Sequence, residues 1–358
     1  MQQYYVDFGP FGEPAALPLV TEALRKETFT SVPVIDLSAL RSSDERARAA
    51  LTEELRVACR DVGFFYASGH VIPNCIMEGA MQATKEFFDL PDERKQAVNF
   101  HRSAFFRGYE DLYATRHQHR GRGDNKEAFS FTYDDKNPGH NQWPDNYPDF
   151  RTIMVKYHTA LCHLAQQIHA TFAEALSLPP NHFAQVYKKC GASVRALHYP
   201  PQKPQEVDDE VGFGAHTDSS WFTLVNQDNV GALEVQNENG VWIPVEPKEG
   251  TFVVNIGDLM QFVSGGKLKS TRHRVVNRKG MERYSIAFFW SPNESDVLEV
   301  AQTCRVSGQA YSDLVVKDYL QMRFRGSRLS HPLLKDETSM RAPSGAVPAK
   351  TAVLLGRS

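Results

Sequence analysis

The chain has 358 residues, 41% hydrophobic and 23% charged, with a formal net charge of −3. That length supports a sizeable core in one or two domains. The nearly balanced charge gives no electrostatic basis for binding nucleic acid or an anionic membrane, and no apolar run reaches the roughly eighteen residues of a membrane span. The opening MQQYYVDFGPFGEP lacks a basic start and an apolar centre, so it does not read as a secretory signal. Cys59, Cys75, Cys162, Cys190 and Cys304 are scattered, odd in number and without CxxC spacing. They read as reduced thiols in a cytoplasmic protein.

In chain order, residues 1–30 carry Pro and Gly punctuation and read as a surface wrap. SVPVIDLSAL (31–40) alternates apolar and polar residues and predicts a short strand. Asp44 is placed to cap a helix running to about Asp61. VGFFYASGH (62–70) is aromatic and apolar, hence a buried strand. Pro73 opens a helix to about Asp89, and Pro91 a shorter one. Residues 100–135 crowd Gly, His and Arg with little periodicity, as loops beside sites often do. Within them RHQHRGRG reads as a solvated basic loop.

From Tyr147 to Leu178, Ile153, Tyr157, Leu161, Leu164, Ile168 and Phe172 keep the spacing of a buried helical stripe. His158, His163 and His169 lie on this helix and read as surface or satisfied core histidines. Pro179 and Pro180 stop it. Short strands with Gly and Pro turns then predict an antiparallel double sheet. Residues 310–328 read as a helix, and 335–358 as a mobile tail.

The chemistry-bearing stretch runs from Val194 to Pro292. In GAHTDSSWFTLV, His216 and Asp218 stand two apart, which on a strand puts both on one face. His273, in STRHRVVN, is a third candidate. Two imidazoles and a carboxylate are the facial ligand set of non-haem Fe(II) oxygenases, although the same donors accept Zn, Mn, Co or Ni. Asp258, in NIGDLMQF, is read as structural and placed at a turn between strands. In MERYSIAFFWSP, Arg283 and Ser285 again stand at i and i+2, a fork and a hydroxyl that can hold a carboxylate. Arg-x-Ser occurs elsewhere in the chain, so position singles this one out.

VRALHYPP, GAHTDSSWFTLVNQDNVGALEV, GVWIPVEPKEGTFVVNIGDLMQFVSGG, KSTRHRVVN and ERYSIAFF occur in that order. Together they resemble the core of the Fe(II)/2-oxoglutarate-dependent dioxygenases of the isopenicillin N synthase-like family. VPVIDLSAL and CRDVGFFYASGH extend the likeness to roughly residues 32–325. The resemblance implies a mostly β protein with flanking helices. Its core would be a double-stranded β-helix (jelly roll), with a helical N-terminal region and a C-terminal helix. The expected division is an N-terminal α/β region (1–190), the dioxygenase core (191–296), and a C-terminal helix and tail (297–358).

The resemblance further implies that His216, Asp218 and His273 hold Fe(II), and that Arg283, Ser285 and Tyr199 bind 2-oxoglutarate. Fe(II), 2-oxoglutarate and O2 are then required, with ascorbate as a stimulant, and succinate and CO2 are released. The substrate would be a small molecule, a natural product by analogy, that is hydroxylated, desaturated or cyclised. Arg107, Tyr109, Phe129 and Phe131 match segments that border the substrate pocket, and Val225, Leu233, Val275 and Phe289 match positions that line it. Two departures stand out. Leu197 replaces a common Asn, and Ser219, Ser220 and Trp221 replace a common Tyr-Gly, which makes Trp221 a further candidate substrate contact. The C-terminal tail is a candidate lid. A monomer or homodimer is expected, with no nucleic-acid or membrane partner. An oxidase using O2 without 2-oxoglutarate, a zinc hydrolase and a non-catalytic binding protein remain alternative readings at this level.

Overall fold

The computed structural model describes residues 28–103, 105–117, 123–133, 141–184, 191–202 and 211–327. The tail at 335–358, Cys190 and residues 118–122 of the basic loop lie outside them. The chain opens with strand β1 (Val34–Asp36), helix α1 (Glu45–Asp61), strand β2 (Phe64–Ser68), and helices α2 (Asn74–Phe88) and α3 (Asp92–Ala97). Strands β3 (Gly108–Glu110) and β4 (Glu127–Thr132) precede the long helix α4 (Pro148–Ala175). Next come β5 (Ser193–Tyr199), β6 (Phe213–His216), β7 (Phe222–Gln227), β8 (Leu233–Gln236), β9 (Trp242–Pro244) and β10 (Phe252–Ile256). The short helix α5 (Asp258–Val263), β11 (His273–Val275), β12 (Arg283–Trp290), β13 (Val297–Leu298), β14 (Leu314–Val315) and helix α6 (Val316–Ser327) complete the order.

Local chemistry accounts for several boundaries. The Asp44 carboxylate accepts from Arg46 N at 2.9 Å and caps α1, whose Leu51, Leu55, Ala58 and Cys59 form its buried stripe. Pro148 occupies the first position of α4, where a missing N–H costs nothing. The NIGDLMQF segment departs from expectation. It predicts a turn, but all six residues from Asp258 to Val263 are buried in a helical turn. Tertiary enclosure, not local propensity, supports so short a helix. Residues 314–315 likewise pair with β13 before α6 begins at Val316.

The larger sheet has the order β1-β2-β10-β7-β12-β5-β4-β3, and the smaller β6-β11-β8-β9. β1 and β2 pair in parallel, and the remaining neighbours are antiparallel. This is a jelly-roll core. β1 to β4 belong to the same sheet as β5, β7, β10 and β12, so the N-terminal segment completes the barrel wall rather than standing apart.

Period-two alternation gives the larger sheet two apolar faces. On β12, Tyr284, Ile286, Phe288 and Trp290 join the helix-facing core with Phe150, Tyr157, Leu161 and Phe172 of α4. The alternate positions Ala287 and Phe289 turn to the barrel interior with Leu197, Tyr199, Val253 and Val275. Phe129 and Phe131 of β4 are in phase with the outer face. Among the described residues, no helix is long and apolar enough to cross a membrane.

His158 and His169 are buried core histidines. Trp290 Nε1–H donates to His169 Nδ1 at 2.9 Å, and Phe183 stacks on the imidazole at 4.3 Å. Burial, reinforced by His182, pushes His169 down to about 3. The unfolded chain takes up this proton near pH 6.5, whereas the folded chain refuses it until about pH 3. Stability is therefore full above pH 6.5 and falls with pH below it, by up to about 1.4 kcal/mol per pH unit. Denaturant titrations between pH 6 and 4 should show His169→Gln losing about one proton's worth of that slope.

Candidate active site

His216 is the last residue of β6, and His273, the first of β11, faces it across the ladder. Asp218 lies in the loop just beyond β6, so the pair does not share a strand face as its spacing suggests. Tertiary bonds bring its carboxylate back. Asp258 N donates to Asp218 O at 2.7 Å. Gly257 permits this approach, because a Cβ there would lie 2.2 Å from Ser220 O. Asp218 Oδ1 ends 3.6 Å from His216 Nε2 and 3.7 Å from His273 Nε2. One ligand atom from each residue falls within 4.8 Å of the others.

Each ligand atom is aimed by the opposite end of its own side chain. His216 Nδ1–H donates to Gly214 O at 2.7 Å, and His273 Nδ1–H to Thr271 O at 3.1 Å. Both Nε2 lone pairs are thereby directed to the cluster. Asp218 Oδ2 accepts from Thr223 Oγ1 at 2.6 Å and Asn255 Nδ2 at 2.8 Å, which leaves Oδ1 for the cluster. Burial, then the neighbouring His273, holds His216 well below the usual imidazole range. A neutral imidazole keeps its lone pair for a metal. Two such nitrogens and one carboxylate oxygen fit one face of an Fe(II) octahedron.

On β12, Arg283 is 1% exposed. Its Nε donates to Gly231 O, its Nη1 to Ser285 Oγ at 3.3 Å and its Nη2 to Gln227 Oε1 at 3.3 Å. The Tyr199 ring lies 4.7 Å from the guanidinium carbon. Burial pushes the Tyr199 hydroxyl up, so it stays protonated. Among the described residues, no carboxylate pairs with Arg283. A buried cation without an anion is costly unless a ligand brings one.

The expected substrate contacts separate. Val275 and Phe289 lie in the interior cluster, as do Val225 and Leu233. Phe129, Phe131 and Trp221 do not. Phe129 packs on Phe87 and Phe150 at 4.7 and 5.1 Å, Phe131 on Trp143 at 4.8 Å, and Trp221 on His169 and Phe183 at 5.3 and 5.5 Å. All three belong to the helix-facing core: Phe129 and Phe131 because their phase on β4 points outward from the sheet, and Trp221 because it sits at the bend before β7 against His169 of α4 and Phe183. Tyr109 is there too, its hydroxyl donating to Glu127 Oε2 at 2.5 Å. Arg107 is half-buried next to β3, its backbone tied to Ser103 and Gln142.

Several residues at the site carried no motif. Thr223 and Asn255 aim Asp218, and their inward phase on β7 and β10 was the available signal. His117 belongs to the stretch read as a solvated loop, yet its ring lies 5.2 Å from that of His216. Asp124 anchors it, accepting from His117 Nδ1 at 2.5 Å and from Gly214 N at 3.0 Å. Lys126 Nζ and the Arg195 guanidinium lie 4.7 and 5.8 Å from the Phe213 ring, which itself stacks on His216 at 4.0 Å. Arg195 Nη2 donates to Glu110 Oε2 at 2.5 Å.

Comparison with known proteins gives this geometry its class. The 2OG-Fe(II) oxygenase superfamily profile matches residues 184–292, and that of the non-haem dioxygenase in morphine synthesis N-terminal region matches 32–146. A 2-oxoglutarate-Fe(II) type oxidoreductase, hxnY, of Emericella nidulans is 33% identical over 345 residues, covering 91% of this chain and 99% of its own. A homoarginine-6-hydroxylase of Arabidopsis thaliana is 34% identical, over 77% of this chain and 89% of its own. A full-length Neurospora crassa protein crystallised in complex with alpha-KG and thymine superposes with a TM-score of 0.74 at 26% identity, covering 82% of this chain and 96% of that one. The chain belongs to the 2-oxoglutarate–Fe(II) oxygenase superfamily and is an Fe(II)- and 2-oxoglutarate-dependent oxidoreductase.

Thr223→Val keeps the side-chain shape but removes a hydrogen bond from Asp218. It should weaken metal binding roughly 10–100-fold, as losses of ligand-orienting partners do. A Co(II) absorption titration of the apo protein would reveal this, and an unchanged affinity would mean that Asn255 alone orients the carboxylate.

Proposed function

We propose that His216, Asp218 and His273 are the iron ligands, and that Arg283, Ser285 and Tyr199 hold the distal carboxylate of 2-oxoglutarate. The substrate is a small molecule, most naturally one handled in natural-product metabolism. The carrying observation is the pairing, within one barrel, of a three-residue donor cluster and a buried Arg283 whose hydrogen-bond partners are all neutral. A zinc hydrolase would leave that guanidinium without a purpose. An oxidase that dispenses with 2-oxoglutarate could turn the same fork to a carboxylate of its own substrate, and formation of succinate from 2-oxoglutarate separates the two.

Bound Fe(II), with 2-oxoglutarate and O2, supplies oxidative decarboxylation to succinate and CO2 coupled to oxidation of a substrate C–H bond. The protein's own part is positional. The Arg283 fork and Ser285 hydroxyl offer charge-assisted hydrogen bonds to a carboxylate, and the Tyr199 face supports the fork. Leu197, which stands where many relatives have Asn, is buried in the interior, so a polar hand on the cosubstrate is replaced by an apolar wall. Val275 and Phe289 supply further apolar wall that excludes water, and Arg195, Glu110 and Lys126 give the interior a polar end. Such an interior suits a small polar substrate, in keeping with the homoarginine and thymine named for the relatives. The free cysteines Cys59, Cys75, Cys162 and Cys304 accord with a cytoplasmic setting.

Two measurements test this reading. His216→Ala should abolish Fe(II) binding and turnover, and an alanine variant retaining stoichiometric iron and near-normal succinate formation would remove His216 from the ligand set. Arg283→Ala should weaken 2-oxoglutarate binding by about 2–4 kcal/mol, the scale of a buried charge-assisted contact. The visible band of the anaerobic Fe(II)–2-oxoglutarate complex reports that affinity without any substrate. An unshifted titration would place the cosubstrate elsewhere.

A further inference from the structure

We propose that helix α6 is a clamp on the metal cluster, with Arg323 and Tyr319 as positioning residues for its ligands. The inference rests on the triad being the metal site. Arg323 and Tyr319 act on the ligands through the residues beside them. They hold Thr217, the residue between His216 and Asp218, and Asp258, whose backbone holds Asp218.

The contacts form one closed network. Arg323 Nη2 donates to the Thr217 carbonyl at 2.6 Å, and Nη1 lies 3.2 Å from Asp258 Oδ2. Tyr319 OH donates to that same Asp258 oxygen at 2.5 Å, and Thr217 Oγ1 donates to it at 3.1 Å. The Asp258 N–H completes the circuit to Asp218 O at 2.7 Å. Asp258 is 2% exposed, and Tyr319 is buried as well. Burial, then the Asp258 charge, raises the Tyr319 hydroxyl well above its usual range, so it remains a donor.

The loop carrying the carboxylate ligand thus has two supports. Thr223 and Asn255 fix the Asp218 side chain from the larger sheet. Arg323 and Tyr319 fix its backbone from a helix remote in sequence. A loop between two metal ligands has little freedom to lose before their separation changes. The network therefore pre-organises the ligand spacing, and a fixed spacing binds metal more tightly than one assembled on binding. The coupling is reciprocal, because a metal that prefers the clamped loop also favours the docked helix.

Co(II) titration of the full-length apo protein, followed by visible absorption, tests the idea without turnover. Arg323→Ala should bind Co(II) at least about ten-fold more weakly than wild type, and Arg323→Lys should recover part of the loss. A purely structural role would lower the melting temperature of the apo protein while leaving the Co(II) affinity at the wild-type value, and that result overturns the proposal. Arg323→Ala leaves the Asp258 charge buried without its cation, so Tyr319→Phe is the milder companion, expected to weaken Co(II) binding several-fold. Should Arg323→Ala not fold, wild-type Co(II) affinity in Tyr319→Phe overturns the proposal in its place. Amide exchange over residues 316–327 of the wild type should also slow when Co(II) is added. A wild type that binds no Co(II), or a His216→Ala protein that binds it equally well, would instead defeat the reading of the triad as the metal site.

Discussion

Everything at this site depends on His273 standing opposite His216 across the β6–β11 ladder. Backbone hydrogen bonds set that register, and it brings together two imidazoles from distant parts of the chain. The β-bulge before Val275 interrupts the pairing one step later, so the short ladder is regular only where the imidazoles meet. Once the two rings are fixed, a single loop has to return one carboxylate oxygen to them. The buried bonds to Asp218 are what hold that loop.

The same economy governs the larger sheet. Its outward positions form a helix-packed core around α4, and its inward positions carry both the apolar interior and the polar groups of the site. Arg283 shows how this serves chemistry. The alternate β12 residues Tyr284, Ile286, Phe288 and Trp290 are buried against helices, so the strand cannot rotate to carry the guanidinium to water. The fork is held inside by packing on the face it does not occupy. Its interior hydrogen bonds are all to neutral groups, which leaves the cation to be matched by an anionic ligand.

Side-chain phase also explains which expectations failed. Phe129 and Phe131 lie in a segment that borders the pocket in related proteins, but the alternation of β4 points them at α2 and α4. Trp221, three residues after Asp218, sits at the bend before β7 and packs on His169 of α4. Proximity along a strand does not establish direction, because each step reverses the face. His117 errs in the other sense. Nothing in a run of Arg, His and Gly distinguishes a buried imidazole from a solvated one until Asp124 and Phe213 close around it.

The sequence by itself determined the helices with strong caps and stripes, the alternation that makes the strands, and the imidazole and carboxylate donors at His216, Asp218 and His273. Those features are local, since hydrophobic period and capping chemistry act within a few residues. Only the tertiary structure decided that Asp218 reaches the imidazoles from a loop, that NIGDLMQF closes into a helix, and that Arg323 and Tyr319 lean on Thr217 and Asp258 beside that loop. These depend on contacts between residues far apart in the chain. Such contacts become favourable only when the sheets have closed and water has been excluded from between them.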